Sequence, residues 1–270
     1  MRFEYKFLVH NKLRDTLRAE LQPFVVPDHF ICANEKKEYT VRSIYFDTRR
    51  FDFYHEKLEG LKVRKKIRLR GYDQREDRSR VFLEIKKKIA DHGYKHRAQL
   101  YYKDVQELFL SQCLERSILA GDDPARAVQE AGRFFYHVQR QALKPVVLIT
   151  YDREAFQGKL DPALRITFDK RLRYRLYPGL DNLYDEQNLQ FVAPHHFILE
   201  IKFQTGFSVW LQAILKRHLL QRSGFSKYAV CLEASQVLQR FQRGHAFAFF
   251  PGGLPVSANN PRVSPSPKSP

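Results

Sequence analysis

Across Val63–Tyr72, Arg64, Lys66, Arg68 and Arg70 fall on every second position, with Ile67 and Leu69 between them. Successive side chains of a strand point to opposite faces, so the pattern predicts a strand with one cationic and one apolar face. The period of two recurs downstream. Residues 80–88 set Phe82, Glu84, Lys86 and Lys88 against Val81, Leu83 and Ile85, and residues 93–101 align Lys95 with Arg97. Residues 164–176 align Arg165, Thr167, Asp169, Arg171 and Arg173 against Ile166, Phe168 and Leu172. His196–Phe203 sets Glu200 and Lys202 against Leu199, Ile201 and Phe203. Residues 2–9, Tyr39–Asp47 and residues 146–156 read as further strands. The turn-sized intervals 71–79 and 89–92 predict consecutive antiparallel hairpins.

Helical stretches interrupt the strands at 11–22, 103–119, 124–142, 208–222 and 232–243. Asn11 is the expected cap of the first and Pro23 its stop. Asp123 is the expected cap of the third, with Pro124 at its first position. Gly224 is read as the end of the fourth. From Pro251 the chain turns to Pro, Ser, Gly and Asn, so residues 251–270 are expected to form a disordered tail behind one domain over 1–250.

Composition sharpens this picture only in its charge. With 43% apolar residues, 22 Phe and 14 Tyr, the 270-residue chain is globular. A formal net charge of +17 favours a polyanionic partner: nucleic acid, an acidic membrane or polyphosphate. The water-facing side of a sheet usually mixes signs, because like charges on paired strands repel. Here cations dominate strand after strand. Two of them ~6 Å apart at an effective dielectric of about 20 repel by roughly 3 kcal/mol. A polyanion resting on that face removes the conflict. Aromatic residues fall mostly on the apolar faces, as Phe3, Phe46 and Phe168 do, so base stacking is not strongly indicated and phosphate itself is favoured over nucleic acid.

Other chemistries find little support. The Gly-rich Pro251-Gly252-Gly253 is no phosphate loop, and no Walker A pattern exists. His92 and His96 lie four apart in a hairpin, where a metal pair is not expected, and His195-His196 begins a strand. Cys32, Cys113 and Cys231 are far apart and odd in number, which argues against a disulfide framework. Neither a signal peptide nor a membrane-length apolar run is present, and a cytoplasmic setting is expected.

The ordered segments carry a resemblance. They are Arg2-Phe3-Glu4-Tyr5-Lys6, Val41-Arg42-Ser43-Ile44-Tyr45-Phe46-Asp47-Thr48, Ile67-Arg68-Leu69-Arg70, Phe82-Leu83-Glu84-Ile85-Lys86 and Lys95-His96-Arg97. Tyr151-Asp152-Arg153, Arg165-Ile166-Thr167-Phe168-Asp169, Leu199-Glu200-Ile201-Lys202 and Phe225-Ser226-Lys227-Tyr228 follow. Each is short; the ordered set, from residue 2 to about 235, resembles the VTC (vacuolar transporter chaperone) catalytic domain. That domain is the polyphosphate polymerase branch of the triphosphate tunnel metalloenzymes, a CYTH-like superfamily. The resemblance implies an α+β fold: an eight-stranded antiparallel β-barrel, the triphosphate tunnel, flanked by helices. It implies that Lys6, Arg68, Arg70, Lys86, Lys95, Tyr151, Arg153, Arg165 and Lys227 contact phosphates, with Arg97 as a further contact. Lys202, on the face of Glu200, joins the substrate-binding set. Glu200 is implied to carry a Mn²⁺ or Mg²⁺ ion. Lys6, Arg68, Arg70, Lys86 and Arg165 are the expected transfer residues.

One departure bears on activity. The wider superfamily opens with Glu-x-Glu-x-Lys, whereas this chain has Arg2-x-Glu4-x-Lys6. That substitution resembles the polymerase branch and weakens a triphosphatase reading. The expected reaction is metal-dependent transfer of the γ-phosphate of ATP to a growing polyphosphate chain. A triphosphatase in the same tunnel, or a non-catalytic binder of polyphosphate or RNA, are the alternatives. ATP and polyphosphate are the expected partners, without specific nucleic acid. Eukaryotic VTC subunits carry an SPX domain and membrane helices that are not expected in this chain, so coupling to transport is expected to need a separate membrane protein. Glu4 and Glu84 are expected to orient lysines or to support the metal from behind its ligands, Arg42, Tyr45 and Asp47 to stabilise the barrel, and Trp210 to pack in the core.

Overall fold

The apolar half of each alternating strand is covered by helices, and this is what holds the sheet together. The computed structural model describes residues 3–32, 37–76, 78–90, 92–204 and 206–238. Its strands are β1 (Phe3–His10), β2 (Val25–Pro27), β3 (Tyr39–Asp47), β4 (Val63–Tyr72), β5 (Arg80–Ile89), β6 (His92–Tyr101), β7 (Lys144–Gly158), β8 (Arg165–Leu176), β9 (Gln190–Phe191) and β10 (His196–Phe203). Its α-helices are α1 (Arg14–Leu21), α2 (His29–Cys32), α3 (Asp52–Leu58), α4 (Val105–Ser111), α5 (Leu114–Ser117), α6 (Pro124–Arg140), α7 (Val209–Arg217) and α8 (Lys227–Ala234). The fold is α+β, built on one large antiparallel sheet with the order β1-β10-β8-β7-β3-β4-β5-β6; β2 pairs with β7 and β9 with β8.

Outer-face side chains form two cores. Phe7, Phe168, Leu199 and Ile201 pack under α1 and α7 through Leu17, Leu21, Leu211 and Ile214. Ile67, Leu69, Leu83 and Leu100 pack under α4 and α6 through Leu108, Phe134 and Phe135. Fully burying one such side chain contributes about 1.5–3 kcal/mol. On the inner face, Tyr45, Ile149, Tyr151, Leu172 and Ile198 pack against Tyr228, Ala229 and Leu232 of α8. One stretch of the inner face is thus closed by a helix, and the rest is left to charge.

The closed eight-stranded barrel expected above is not what the ladders show. Eight strands follow one another in an open path, and among the described residues no ladder joins β1 to β6. The reason is local: each edge has its own partner. Phe7 bridges to Arg222 and the Ser223 N–H donates to the Lys6 carbonyl, while Leu100 bridges to Ile118 and the Leu119 N–H donates to the Gln99 carbonyl. The sheet nevertheless curls. Lys86 of β5 lies close enough to Lys202 of β10 and Glu4 of β1 for their charges to interact, as does Lys66 of β4 to Lys6. The result is a trough.

Other expectations shift as well. His10, not Asn11, caps the first helical turn, its Nδ1 accepting from the Lys12 N–H. Asp123 caps α6 as expected, accepting from the Arg126 N–H at 3.0 Å. The stretch 103–119 is broken into α4 and α5, α7 ends at Arg217, and α8 begins at Lys227 rather than at residue 232. Arg171 and Arg173 do not line up with Arg165. Arg171 adopts φ 50°, and the β7–β8 register slips between Thr150 and Asp152. This bulge turns both arginines to the outer face, where Arg171 pairs with Asp152 (2.7 Å) and Glu38 (2.6 Å), and Arg173 with Asp152 and Glu186. Cys113 and Cys231 are free thiols. Among the described residues no helix is long and apolar enough to cross a membrane. Arg2 and the expected tail at 251–270 lie outside the described residues.

Candidate functional site

Two buried carboxylates, one on each flank of the trough, gather most of the predicted cations. On β5, Glu84 is 1% exposed. Its Oε2 accepts from Arg68 Nε (2.9 Å) and Nη2 (2.7 Å), and its Oε1 meets Lys95 Nζ (3.1 Å) and Arg97 Nε (3.3 Å). Arg70 approaches at 3.9 Å and is anchored by donating to Ser43 Oγ at 3.1 Å. The ladders explain this convergence: Arg68 and Arg97 are the direct cross-strand neighbours of Glu84. Burial alone would raise its carboxyl, yet Arg68, Arg70 and Lys95 hold it well below the carboxylate range.

On β8, Asp169 is buried and receives a bidentate fork from Arg153, Nε at 2.6 Å and Nη2 at 2.8 Å, together with Lys227 Nζ at 2.5 Å. Lys227, in the first turn of α8, is no surface residue: it points inward and lies 4.6 Å from the centre of the Tyr151 ring. The Tyr151 hydroxyl accepts from Arg153 Nη2 at 3.3 Å. Ser226 caps α8 and accepts from Lys66 Nζ at 3.0 Å.

At the β1–β10 ladder, Lys6 faces Glu200 and Glu4 faces Lys202 across the strands. Lys6 contacts Glu4 at 2.6 Å and Glu200 at 3.8 Å, and Lys202 contacts Glu200 closely and Glu4 at 3.9 Å. Glu200 is buried; Lys202, Lys227, Lys6 and Arg153 outweigh that burial and hold its carboxyl far below its ordinary value.

Lys86 stands between these groups and, among the described residues, makes no ion pair. Arg68 foremost, then burial, Arg70 and Lys202, drive its ammonium far below the usual lysine value. Its side chain still touches solvent, so it lines an open, walled space. Lys66 is similar: burial first, with Lys6 and Arg68, brings it down to about 8. Tyr45, expected to serve only the sheet, has its hydroxyl in this set. Arg68 Nη1 donates to it at 2.8 Å, and Arg68, Arg70 and Lys66 overcome burial to bring it down to about 8. Lys66 was legible from its alternation with Arg68; nothing in sequence separates Tyr45 from the core tyrosines. Arg165 stands somewhat apart, held by Asp28 at 2.8 Å and by the Tyr39 hydroxyl at 3.3 Å.

The arrangement surrounds a solvent-lined trough with cations that outnumber their carboxylates. Desolvated cations of like sign are costly, and a linear polyanion with repeated oxygens would pair with them. Among the described residues no three His, Cys, Asp or Glu side chains converge as a metal cage. Glu200 and Glu4, which share Lys6 and Lys202, could still supply the one or two carboxylates on which Mg²⁺ depends when phosphate oxygens complete its shell.

Residues 1–236 match the VTC domain. The chain belongs to the VTC domain family. The VTC domain here is 28% identical over 219 residues to vacuolar transporter chaperone complex subunit 4 of Trypanosoma brucei brucei, covering 70% of this chain and 27% of that protein. It is 26% identical over 226 residues to subunit 4 of Schizosaccharomyces pombe, covering 72% and 31%. It is 27% identical over 148 residues to subunit 2 of Saccharomyces cerevisiae, covering 49% and 18%. The chain therefore spans less than a third of the length of these relatives. A solved structure, the PH1819 protein of Pyrococcus horikoshii, is 12% identical with a TM-score of 0.42, covering 86% of this chain and 99% of that one.

Proposed function

We propose that the trough binds a linear chain of phosphates and that the protein is a metal-dependent polyphosphate polymerase, moving the γ-phosphate of ATP onto a growing polyphosphate. Lys86 carries this reading: an exposed cation that makes no ion pair among the described residues, beside Arg68, Arg70 and Lys202, is suited to a polyanion. Membership of the VTC family, whose resemblance implies this activity, supports it.

In this reading Arg68 and Arg70 grip phosphate oxygens from β4, and Arg153 and Lys227 do so from the opposite wall. Lys6 and Lys202 would be freed to bind phosphate as Glu200 and Glu4 take the metal, and Arg165 steadies the open end. Mn²⁺ or Mg²⁺, when bound, neutralises phosphate charge near the bond that breaks. The protein's own part is alignment: phosphoryl transfer needs in-line placement and charge stabilisation more than covalent help. The attacking oxygen is that of the polymer terminus, and the nucleoside diphosphate leaves. A cytoplasmic setting and a separate membrane partner remain part of the proposal.

The test is incubation of the purified protein with ATP and Mn²⁺, followed by gel analysis. Long phosphate chains are expected. Orthophosphate alone would make the site a triphosphatase, and binding without ATP consumption would make it a binder of polyphosphate.

A further inference from the structure

The inner face of the trough is not cationic along its whole length. On β5, two positions beyond Glu84, the same face carries Phe82; on β4, two positions beyond Arg70, it carries Tyr72. Neither ring is fully buried, although they share the parity of the cations. Phe82 and Tyr72 meet edge to face with centroids 6.0 Å apart, and Tyr72 meets Tyr39 of β3 in the same way at 6.0 Å. Three adjacent strands therefore present an aromatic arc beside the phosphate-binding set, an exception to the expectation that rings lie mostly on the apolar faces.

Arg97 completes the arc. Its guanidinium lies 3.4 Å from the centre of the Phe82 ring, and its Nε meets Glu84 at 3.3 Å. The ring fixes its plane and the carboxylate fixes its edge. The side chain stays 36% exposed, leaving guanidinium surface open to solvent. A flat guanidinium or an aromatic ring is a surface on which a nucleobase stacks. An inorganic phosphate chain uses the N–H edge of a guanidinium and gains nothing from an aromatic face.

We propose that the Arg97–Phe82 stack, flanked by Tyr72, is a nucleobase platform, holding the base of a nucleoside triphosphate whose phosphates lie among Arg68, Arg70 and Lys86. This rests on the phosphate-binding reading of the trough and adds to it a nucleotide-specific subsite. Arg97 then serves the base rather than the phosphates. Stacking is tolerant of base identity, so purines of either kind are accepted.

The experiment is calorimetric binding to the metal-free full chain, using ATP, ribose 5-triphosphate and inorganic tripolyphosphate. ATP and ribose 5-triphosphate carry the same triphosphate ester and differ in the base. Wild-type protein is expected to bind ATP about tenfold more tightly than ribose 5-triphosphate. Phe82→Leu, which keeps an apolar side chain, is expected to erase that difference while leaving tripolyphosphate affinity unchanged; Phe82→Tyr retains it. Equal wild-type affinity for ATP and ribose 5-triphosphate overturns the platform and leaves the phosphate site standing. A Phe82→Leu loss shared equally by all three ligands overturns it too, assigning Phe82 to support of the trough. Wild-type protein that binds none of the three removes the phosphate reading, and the platform with it.

Discussion

At the scale of single residues, Arg68 and Glu84 bear most on whether the trough can stand empty. Arg68 uses its fork twice, donating through Nε and Nη2 to Glu84 and through Nη1 to Tyr45. A lysine keeps the charge but cannot span both partners. Arg68→Lys is therefore expected to lower turnover at least tenfold while the protein stays folded; near-normal ATP consumption would place the chemistry elsewhere. Glu84 pairs with Arg68, Lys95 and Arg97 at once. Glu84→Gln keeps the shape and leaves these cations to repel one another, at a cost of about 3–5 kcal/mol for a broken buried pair. Thermal denaturation should show that loss in plain buffer and show much of it restored by tripolyphosphate, whose charge stands in for the carboxylate. A variant that tripolyphosphate stabilises no more than it does wild type would contradict that picture.

At the scale of elements, Asp47 at the end of β3 ties two helices to the sheet. Its Oδ1 accepts from the N–H groups of Thr48 (2.7 Å) and Phe53 (3.0 Å), and its Oδ2 from the N–H of Tyr54 (3.2 Å) and the hydroxyl of Tyr228 on α8. Asp47→Ala leaves these donors buried and unpaired, and a loss of about 2–4 kcal/mol in urea unfolding is expected. A loss below about 1 kcal/mol would mean that the helices hold their places without it. Burial pushes the Asp47 carboxyl up from 3.8 to about 6. A raised acid binds its proton more tightly in the folded state. Its stabilising share is complete below pH 3.8 and is lost as pH rises through about 6, a slope that Asp47→Asn should remove. The strands and their charged face were legible because a period of two is a local property. What escaped was set by distant packing. The bulge at Arg171 depends on β7, the early start of α8 on burial of Tyr228 and Leu232, and the open edges on Ser223 and Leu119. Lys202 was found from alternation and Lys6 and Arg153 from the resemblance, whereas the hydroxyl of Tyr45 acquires its neighbours only when β4 folds beside β3.

At the scale of the molecule, crowded cations make the empty site proton-poor. Lys66, lowered to about 8, and Lys86, lowered as well, give up protons that an unfolded lysine keeps to about 10.5. Tyr45, lowered to about 8, gives up one that a free tyrosine keeps to about 10. Between those limits the unfolded chain binds more protons than the folded one, so these groups make the empty protein more stable as pH rises. A polyanion in the trough reverses the preference. Its charge draws protons back onto Lys66, Lys86 and Tyr45, which face Lys6 and Glu4 from β1, Arg68 from β4 and Ser226 from α8. Binding should therefore take up protons near pH 8 and weaken above it. A sulfated polyanion, whose own charge is constant in this range, isolates the protein's contribution. Its thermal stabilisation should shrink from pH 7 to pH 9.5, by mass action reflecting at least a tenfold loss of affinity. Binding heats measured in two buffers of different ionisation enthalpy should show uptake of about one proton, reduced in Tyr45→Phe. Flat affinity and buffer-independent heats would mean that the trough holds its lysines fully charged when empty, and the crowding inferred from its geometry would have no thermodynamic counterpart.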